Sequence, residues 1–277
     1  MSSPVPVTVG ILTYQSSAAT IQETLQSVAG FAEIVICDGG STDGTRELAA
    51  SLGCRIIDQA PEFTDDAGRL INEAGVNEQV LAEASHNWVF FLDHDELATP
   101  ELVEEIRTVV IDGQNIGAYQ IPRLYTLDGV IIEHASMYPS FQIRLVNRHA
   151  IHGYGGIIHS PVIMKDDEVV GTLGCHQLIP LAPLREVWPK WRGYMRLEDS
   201  QNSGLSFAEW RRAVLLPRLR LVKWIGWRSI KIRREHSANV MPLRYELGRI
   251  AYELGVILHT ARHLVGLGHS QPGDAWR

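Results

Sequence analysis

Cysteine is scarce: the 277 residues contain three, Cys37, Cys54 and Cys175, an odd set with no CxxC spacing. No disulfide framework is expected from it. Cys37 lies inside an apolar run, where a reduced, buried thiol is the ordinary outcome, so a reducing, cytoplasmic compartment is expected. Long apolar runs are missing as well. Arginine or lysine interrupts every long apolar stretch in the C-terminal third, so no transmembrane span is expected. No basic region precedes residues 5–12, which therefore read as a first strand rather than a signal peptide. No GxGxxG turn follows that strand, because Gly10-Ile11-Leu12-Thr13-Tyr14 offers none, and this excludes a dinucleotide-dependent oxidoreductase. The glycine-rich, basic loop of a sugar nucleotidyltransferase is absent from the same place. There is no internal repeat and no low-complexity tract.

What is present is a 45% hydrophobic chain, enough for one large α/β core with a helical appendage and too much for a disordered protein. The net charge of −7 conceals an asymmetry. Residues 1–205 carry 12 basic and 27 acidic side chains, whereas residues 206–236 carry 9 basic and 2 acidic. The two parts face different partners, and a nucleic acid is not expected among them.

Residues 7–13 read as a strand, and Ile21, Leu25 and Val28 then recur at helical spacing. A strand at 34–37, a helix at 46–52 and a strand at 55–57 continue the alternation, which predicts an α/β fold with a doubly wound, mostly parallel sheet. Residues 58–68 are expected as a loop, 71–84 as a helix, 88–92 as a strand and 100–110 as a helix that stops near Gly113. Thr99 is placed to cap that helix ahead of Pro100. From 118 to 170 the pattern is shorter and strand-like. The predicted organisation is one α/β domain over 1–182 and a helical, partly basic region over 183–277.

The most informative stretch is Trp88 to Leu92, five apolar residues running straight into Asp93-His94-Asp95-Glu96. Such a run suits a strand covered on both faces, and ligands of parallel sheets gather beyond the strands' carboxyl ends. In extended chain residues two apart point the same way, so Asp93 and Asp95 are expected to address one hard cation, Mg²⁺ or Mn²⁺. The competing reading is a polar loop of solvated acids. An acidic half that handles a diphosphate needs such a cation, or a few placed arginines, to offset repulsion. After the second strand comes Asp38-Gly39-Gly40-Ser41-Thr42-Asp43-Gly44-Thr45, where the glycines permit a tight turn and the next helix N-terminus favours anions. Asp38 fits two roles, acceptor from a nucleobase or ribose, or a turn aspartate bonding its own backbone.

The order of these motifs, Thr13-Tyr14-Gln15, then the Asp38 loop, then Asp-His-Asp-Glu, resembles the family 2 glycosyltransferases of the GT-A fold over roughly residues 5 to 160. Within the family the chain is most similar to the bacterial lipopolysaccharide core β-glucosyltransferase branch, through Gly75-x-Asn77, His134, Tyr138-Pro139, Arg144-Leu145 and His159. The resemblance implies an inverting, metal-dependent hexosyltransferase that moves one sugar from a nucleotide-sugar, a UDP-hexose, to a cell-envelope glycan or lipid-linked acceptor. It implies that Thr13 and Tyr14 line the nucleotide pocket, that Asp38 contacts the uracil and that Asn77 supports the donor pocket. Asp93 would face the ribose or the metal, with Asp95 the direct metal ligand. Arg144 and Arg148 are candidates for offsetting charge on the departing diphosphate. The QxxRW signature of processive members is absent.

Two departures matter. The chain has His159-Ser160 where that branch tends to have His-Glu, and Pro139-Ser140 where it often has Pro-Asp. Two acids are thus missing where a base is expected, and the candidates for removing the acceptor's proton are Glu133 and His159, followed by Glu96 and His134. A catalytically silent module that binds a sugar nucleotide or a membrane partner is the alternative, and a phosphatase a more distant one. Beyond Pro183, Leu243, Leu247, Ile250, Leu254, Ile257, Leu258, Ala261 and Leu264 fall on one helical stripe, with Glu246 and Glu253 largely off it. Before it, tryptophans mix with nine basic residues, a composition suited to an anionic membrane surface at the inner face of the plasma membrane, or to packing on the catalytic domain or a second subunit in a homodimer. Pro217 argues against one unbroken helix there.

Overall fold

The computed structural model describes residues 3–16, 18–65, 70–113, 115–157 and 160–265. The chain divides into two compact units, Met1–Leu124 with Pro139–Pro180, and Tyr125–Tyr138 with Leu181–Arg277.

The first unit opens with β1 (Val5–Thr13), α1 (Ala18–Ser27), β2 (Phe31–Asp38), α2 (Thr45–Ser51) and β3 (Arg55–Asp58). It continues through α3 (Glu73–Glu83), β4 (Trp88–Asp93), β5 (Leu97–Ala98) and α4 (Pro100–Ile111). Then β6 (Ala118–Leu127) runs out towards β7 (Val130–Ile131), and β8 (Ser140–Asn147), β9 (Ile151–Tyr154), β10 (Val162–Met164), β11 (Val170–Thr172) and β12 (Gln177–Pro180) complete the sheets. The large sheet has the order β3-β2-β1-β4-β8-β6-β12-β5, parallel from β3 to β4, with β8 antiparallel to both neighbours. The chain winds outward from β1 through β2 to β3, then returns to place β4 on the other side of β1. That reversal is where open α/β sheets bind ligands.

Strand periodicity sorts the core. In β4, Phe90 and Leu92 join Val7, Val9 and Ile11 of β1 on the face covered by Ile21, Leu25, Leu102 and Ile106, while Val89 and Phe91 face Val76 and Val80 of α3. Thr99 caps α4 by accepting from the Leu102 N–H at 3.2 Å, and Asn72 caps α3 by accepting from Gly75 N–H at 3.1 Å. Gly10 permits α3 to lie close on β1: a Cβ there would meet Val80 Cγ1 at 2.5 Å.

The second unit contains α5 (Leu184–Gln201), α6 (Phe207–Trp210), α7 (Leu216–Glu235) and α8 (Leu243–Ala261). Arg211–Leu215, between α6 and α7, is a π-helical stretch, and Pro217 stands in the first turn of α7, so the regular α-helix is interrupted ahead of the proline as expected. The wider turn relieves the clash between a proline ring and the carbonyl four residues back. α8 departs from expectation. Leu243, Leu247, Leu254 and Leu258 are exposed, whereas Glu246 and Glu253 are buried at 4% and 1%. Arg218 bridges Glu198 and Glu253, Arg249 reaches Glu253 at 2.9 Å, and Ser136 binds Glu246, so each buried carboxylate is paired or hydrogen-bonded. Among the described residues no helix is long and apolar enough to cross a membrane.

Gly10→Ala is expected to destabilise the protein by about 1–3 kcal/mol through overpacking against Val80. Urea unfolding followed by circular dichroism checks it, and an unchanged midpoint would show that α3 shifts freely.

Candidate active site

Register brings the motifs together. Thr13 pairs with Asp38 across β1 and β2, Leu12 pairs with Asp93 across β1 and β4, and Asp38 pairs with Asp58 across β2 and β3. Four strand ends therefore finish side by side, and the loops after β1 and β2 are tied to one another. Gln15, at φ 50°, donates its N–H to Ser41 Oγ at 2.8 Å, and its side chain meets Thr42 Oγ1 at 3.2 Å. Thr13 is buried, and its hydroxyl is hydrogen-bonded to that of Ser16, while Tyr14 is half-buried at the strand end.

Asp38 takes the turn role. Its Oδ2 accepts from Gly40 N–H at 2.9 Å, Ser41 N–H at 2.8 Å and Arg46 Nη1 at 2.9 Å, and its Oδ1 accepts from Ser41 Oγ at 2.6 Å. The carboxylate has no exposed surface, so in this conformation it organises the loop from beneath, out of direct reach of a base. Arg46 also pairs with Asp58 at 2.6 Å, joining the ends of β2 and β3. Asn77 is buried on α3.

At the end of β4 the chain stops being extended. Glu96 N–H donates to Asp93 O at 3.0 Å, and His94 O accepts from Thr24 Oγ1 at 2.8 Å, so residues 93–96 form a turn pinned to α1. The expectation that alternation aims Asp93 and Asp95 the same way is corrected by that turn. Asp93 is half exposed and is gripped by Arg144, whose Nη1 and Nη2 donate to Oδ1 and Oδ2 at 3.3 and 3.0 Å. Asp95 forms no ion pair among the described residues.

Arg144 is buried and also reaches Glu96 Oε2 at 3.3 Å. It is thus committed to two carboxylates rather than poised for a diphosphate. Burial alone would weaken its charge, but Asp93 and Glu96 hold it firmly protonated. Glu96 is 3% exposed, accepts from Asp93 N–H at 3.1 Å and from Gln177, and lies 3.9 Å from Arg123. Burial first, then the neighbouring Asp93 charge, pushes its carboxyl up to about 7, with Arg144 and Arg123 opposing. That burial removes Glu96 as a base for an incoming hydroxyl. Arg148 is likewise occupied, donating to Ala84 O at the end of α3 at 2.7 Å.

Glu133 and His134 belong to the second unit. Both backbone N–H groups donate to Asn239 O, at 2.9 and 3.1 Å, and the His134 ring stacks on His236 with centroids 3.6 Å apart. They line a cavity of about 280 Å³ with Trp224, Trp227 and Lys231. His159 lies outside the described residues.

Among the described residues no three His, Cys, Asp or Glu side chains gather to hold a metal by themselves. A hard cation bound largely through phosphate oxygens needs only one or two carboxylates. Asp95, without an ion pair among the described residues and close in sequence to the half-exposed Asp93, meets that need, so the donor set fits a divalent ion bound together with a diphosphate.

The family model described as glycosyl transferase family 2 matches residues 8–163, more than half of the chain and nearly all of the first unit. The chain belongs to glycosyl transferase family 2. It is 37% identical over 95 residues to the glycosyltransferase AglJ of Haloferax volcanii, a match covering 33% of this chain and 29% of the relative's length. Among solved structures, glucosyl-3-phosphoglycerate synthase from Mycobacterium tuberculosis, in complex with Mn²⁺, UDP and glucosyl-3-phosphoglycerate, aligns at 18% identity. That alignment covers 69% of this chain and 77% of the other, with a TM-score of 0.45. The mannosyltransferase PcManGT from Pyrobaculum calidifontis, in complex with GDP-Man and Mn²⁺, aligns at 13% identity over 96% of this chain and 89% of its own, with a TM-score of 0.48.

Because Glu96 holds its proton more tightly folded than unfolded, its contribution to stability is fully present below about 4.5 and is lost as pH rises through about 7. The urea midpoint should fall between pH 5 and pH 8, and Glu96→Gln should flatten that fall. Parallel curves for the two proteins would remove the buried Glu96 as its source.

Proposed function

We propose that this family 2 member transfers a single hexose from a UDP-sugar, bound over the carboxyl ends of β1, β2 and β4, to a hydroxyl of a cell-envelope glycan or lipid-linked acceptor. The observation that carries the reading is the register that sets Thr13, Asp38 and Asp93 in one row at the sheet's reversal, with Asp95 just beyond and without an ion pair among the described residues. Thr13 and Tyr14 wall the nucleotide pocket, Asn77 backs it, and Asp38 holds the Gly39-Gly40 turn in the shape that receives the nucleoside. Asp93, steadied by Arg144, faces the ribose side. Asp95, with Asp93 beside it, would hold Mg²⁺ or Mn²⁺, which supplies Lewis-acid stabilisation of the negative charge left on the nucleoside diphosphate.

The transfer is inverting. The acceptor oxygen bonds to the anomeric carbon as the bond from that carbon to the phosphate oxygen breaks, and a carboxylate takes the hydroxyl proton. We assign that proton to Glu133, a half-exposed carboxylate whose only ion-pair neighbour among the described residues is His134, at 4.0 Å. The likeness to the lipopolysaccharide core β-glucosyltransferase branch supports glucose as the first sugar to try.

Asp95→Ala is expected to lower Mn²⁺-dependent UDP-glucose turnover at least about 100-fold, the scale of a lost electrostatic contact at the departing charge. It should also abolish the rise in melting temperature that Mn²⁺ with UDP gives the parent protein. Full turnover in a folded Asp95→Ala protein would remove the assignment. Glu133→Gln should lower kcat while leaving donor KM and the UDP-induced stabilisation unchanged. A parent protein that is stabilised by Mn²⁺ and UDP yet neither transfers nor hydrolyses any UDP-, GDP- or dTDP-sugar is instead a silent binding module.

A further inference from the structure

We propose that the exposed face of α7 is a docking surface for an anionic lipid bilayer, on which the helix lies in the plane of the headgroups. This goes beyond the catalytic reading and needs neither donor nor metal.

Four large apolar side chains of α7 face water: Leu219 at 44%, Trp224 at 46%, Trp227 at 54% and Ile230 at 57% exposure. They recur at steps of three to five residues along one side of the helix, opposite Ile225, Ser229 and Ile232, which are buried in the second unit. Four cations, Arg220, Lys223, Lys231 and Arg234, are exposed on the same side. The inward cations are spoken for, Arg218 by Glu198 and Glu253 and Arg233 by Ser229 and Met241. The outward ones are not. Arg220, Lys223 and Arg234 have no ion pair among the described residues, and Lys231 makes only a loose one with Glu235 at 3.8 Å. Arg228 and Lys231 lie over the Trp224 and Trp227 rings, 5.5 and 5.6 Å from their centroids, so each indole is held beside a positive charge.

Each feature selects the occupant. Indoles with adjacent cations suit the boundary between headgroups and acyl chains, where a ring buries its apolar body and keeps its N–H wet. Several unpaired cations on one side need an anionic surface, each drawing on its potential. A second copy of the chain would bring this like-charged patch against itself in a two-fold contact, which charge repulsion opposes. A nucleic acid would satisfy the cations but leave Leu219 and Ile230 uncovered. The helix cannot serve as a span: it is too charged, and no helix among the described residues meets the length and apolarity required.

The test is co-sedimentation of the full chain with vesicles of phosphatidylcholine alone or with added phosphatidylglycerol, alongside tryptophan emission. The parent protein should bind anionic vesicles at least about tenfold more tightly than neutral ones and release them as salt is raised. Its emission should shift to the blue on binding. Lys223→Glu with Arg234→Glu should lose that preference, and Trp224→Ala with Trp227→Ala should weaken binding and abolish the shift, each with an unchanged melting temperature. If either double variant melts lower, Lys223→Gln with Arg234→Gln replaces it as the reading variant. Equal sedimentation with both vesicle types, retention by the charge-reversed protein, binding of duplex DNA in place of vesicles, or a change of oligomeric state in the variants without any vesicle binding would overturn the proposal.

Discussion

β1 is hydrogen-bonded between β2 and β4, and the rest of the site depends on where it sits. Its pairing of Leu12 with Asp93 and of Thr13 with Asp38 decides which side chains finish at the same height. A slip of one residue would turn Val9 and Ile11 away from α1 and α4 and carry the strand ends out of line at the same time. The apolar alternation that stabilises the sheet is therefore also what aligns the polar residues above it. Gly10 extends the dependence to the other face, because only a residue without a side chain lets α3, which carries the buried Asn77, approach β1 so closely.

Above the sheet the governing problem is excess negative charge. Asp93, Asp95 and Glu96 are crowded into four residues, two of them within reach of one guanidinium. Arg144 resolves part of the repulsion, Arg123 and Gln177 attend to the buried Glu96, and Asp95 has no ion pair among the described residues. An imbalance of that kind invites an external cation, and it is placed where a diphosphate could share one. The second unit treats its acids differently. Glu198, Glu246 and Glu253 are buried with their partners supplied internally, so they knit helices together and leave nothing to offer a ligand.

Much of this arrangement was legible in the residues. The strands and helices of the first 110 positions follow from alternation and helical spacing, and Thr99 before Pro100 announces its cap, because these signals are local. The strand-end positions of Thr13, Asp38 and Asp93 were legible for the same reason. What was not legible depends on partners distant in sequence. Nothing near Asp38 says that Arg46 and the Ser41 hydroxyl will close over it, and nothing near Asp93 says that an antiparallel strand will deliver Arg144 51 residues later. In α8 a leucine stripe suggests the buried side, yet the helix turns its glutamates inward, because Arg218 and Ser136 arrive from elsewhere to receive them. Pro217 argues against one unbroken helix, and the structure meets it with a π-turn ahead of α7, a form of interruption that a proline alone does not specify.

The saturation of Asp38 has an effect on how a ligand is met. A glycine-rich loop left to itself samples many shapes, and a ligand that had to select one would bind more weakly by the cost of freezing the others. Here four donors from within ten residues fix the loop against a carboxylate sealed from water, with Gly40 and Gly44 both settled at positive φ. With the loop's shape fixed during folding, a nucleotide bound there as proposed would meet a finished mould, and its contacts would count almost wholly towards affinity.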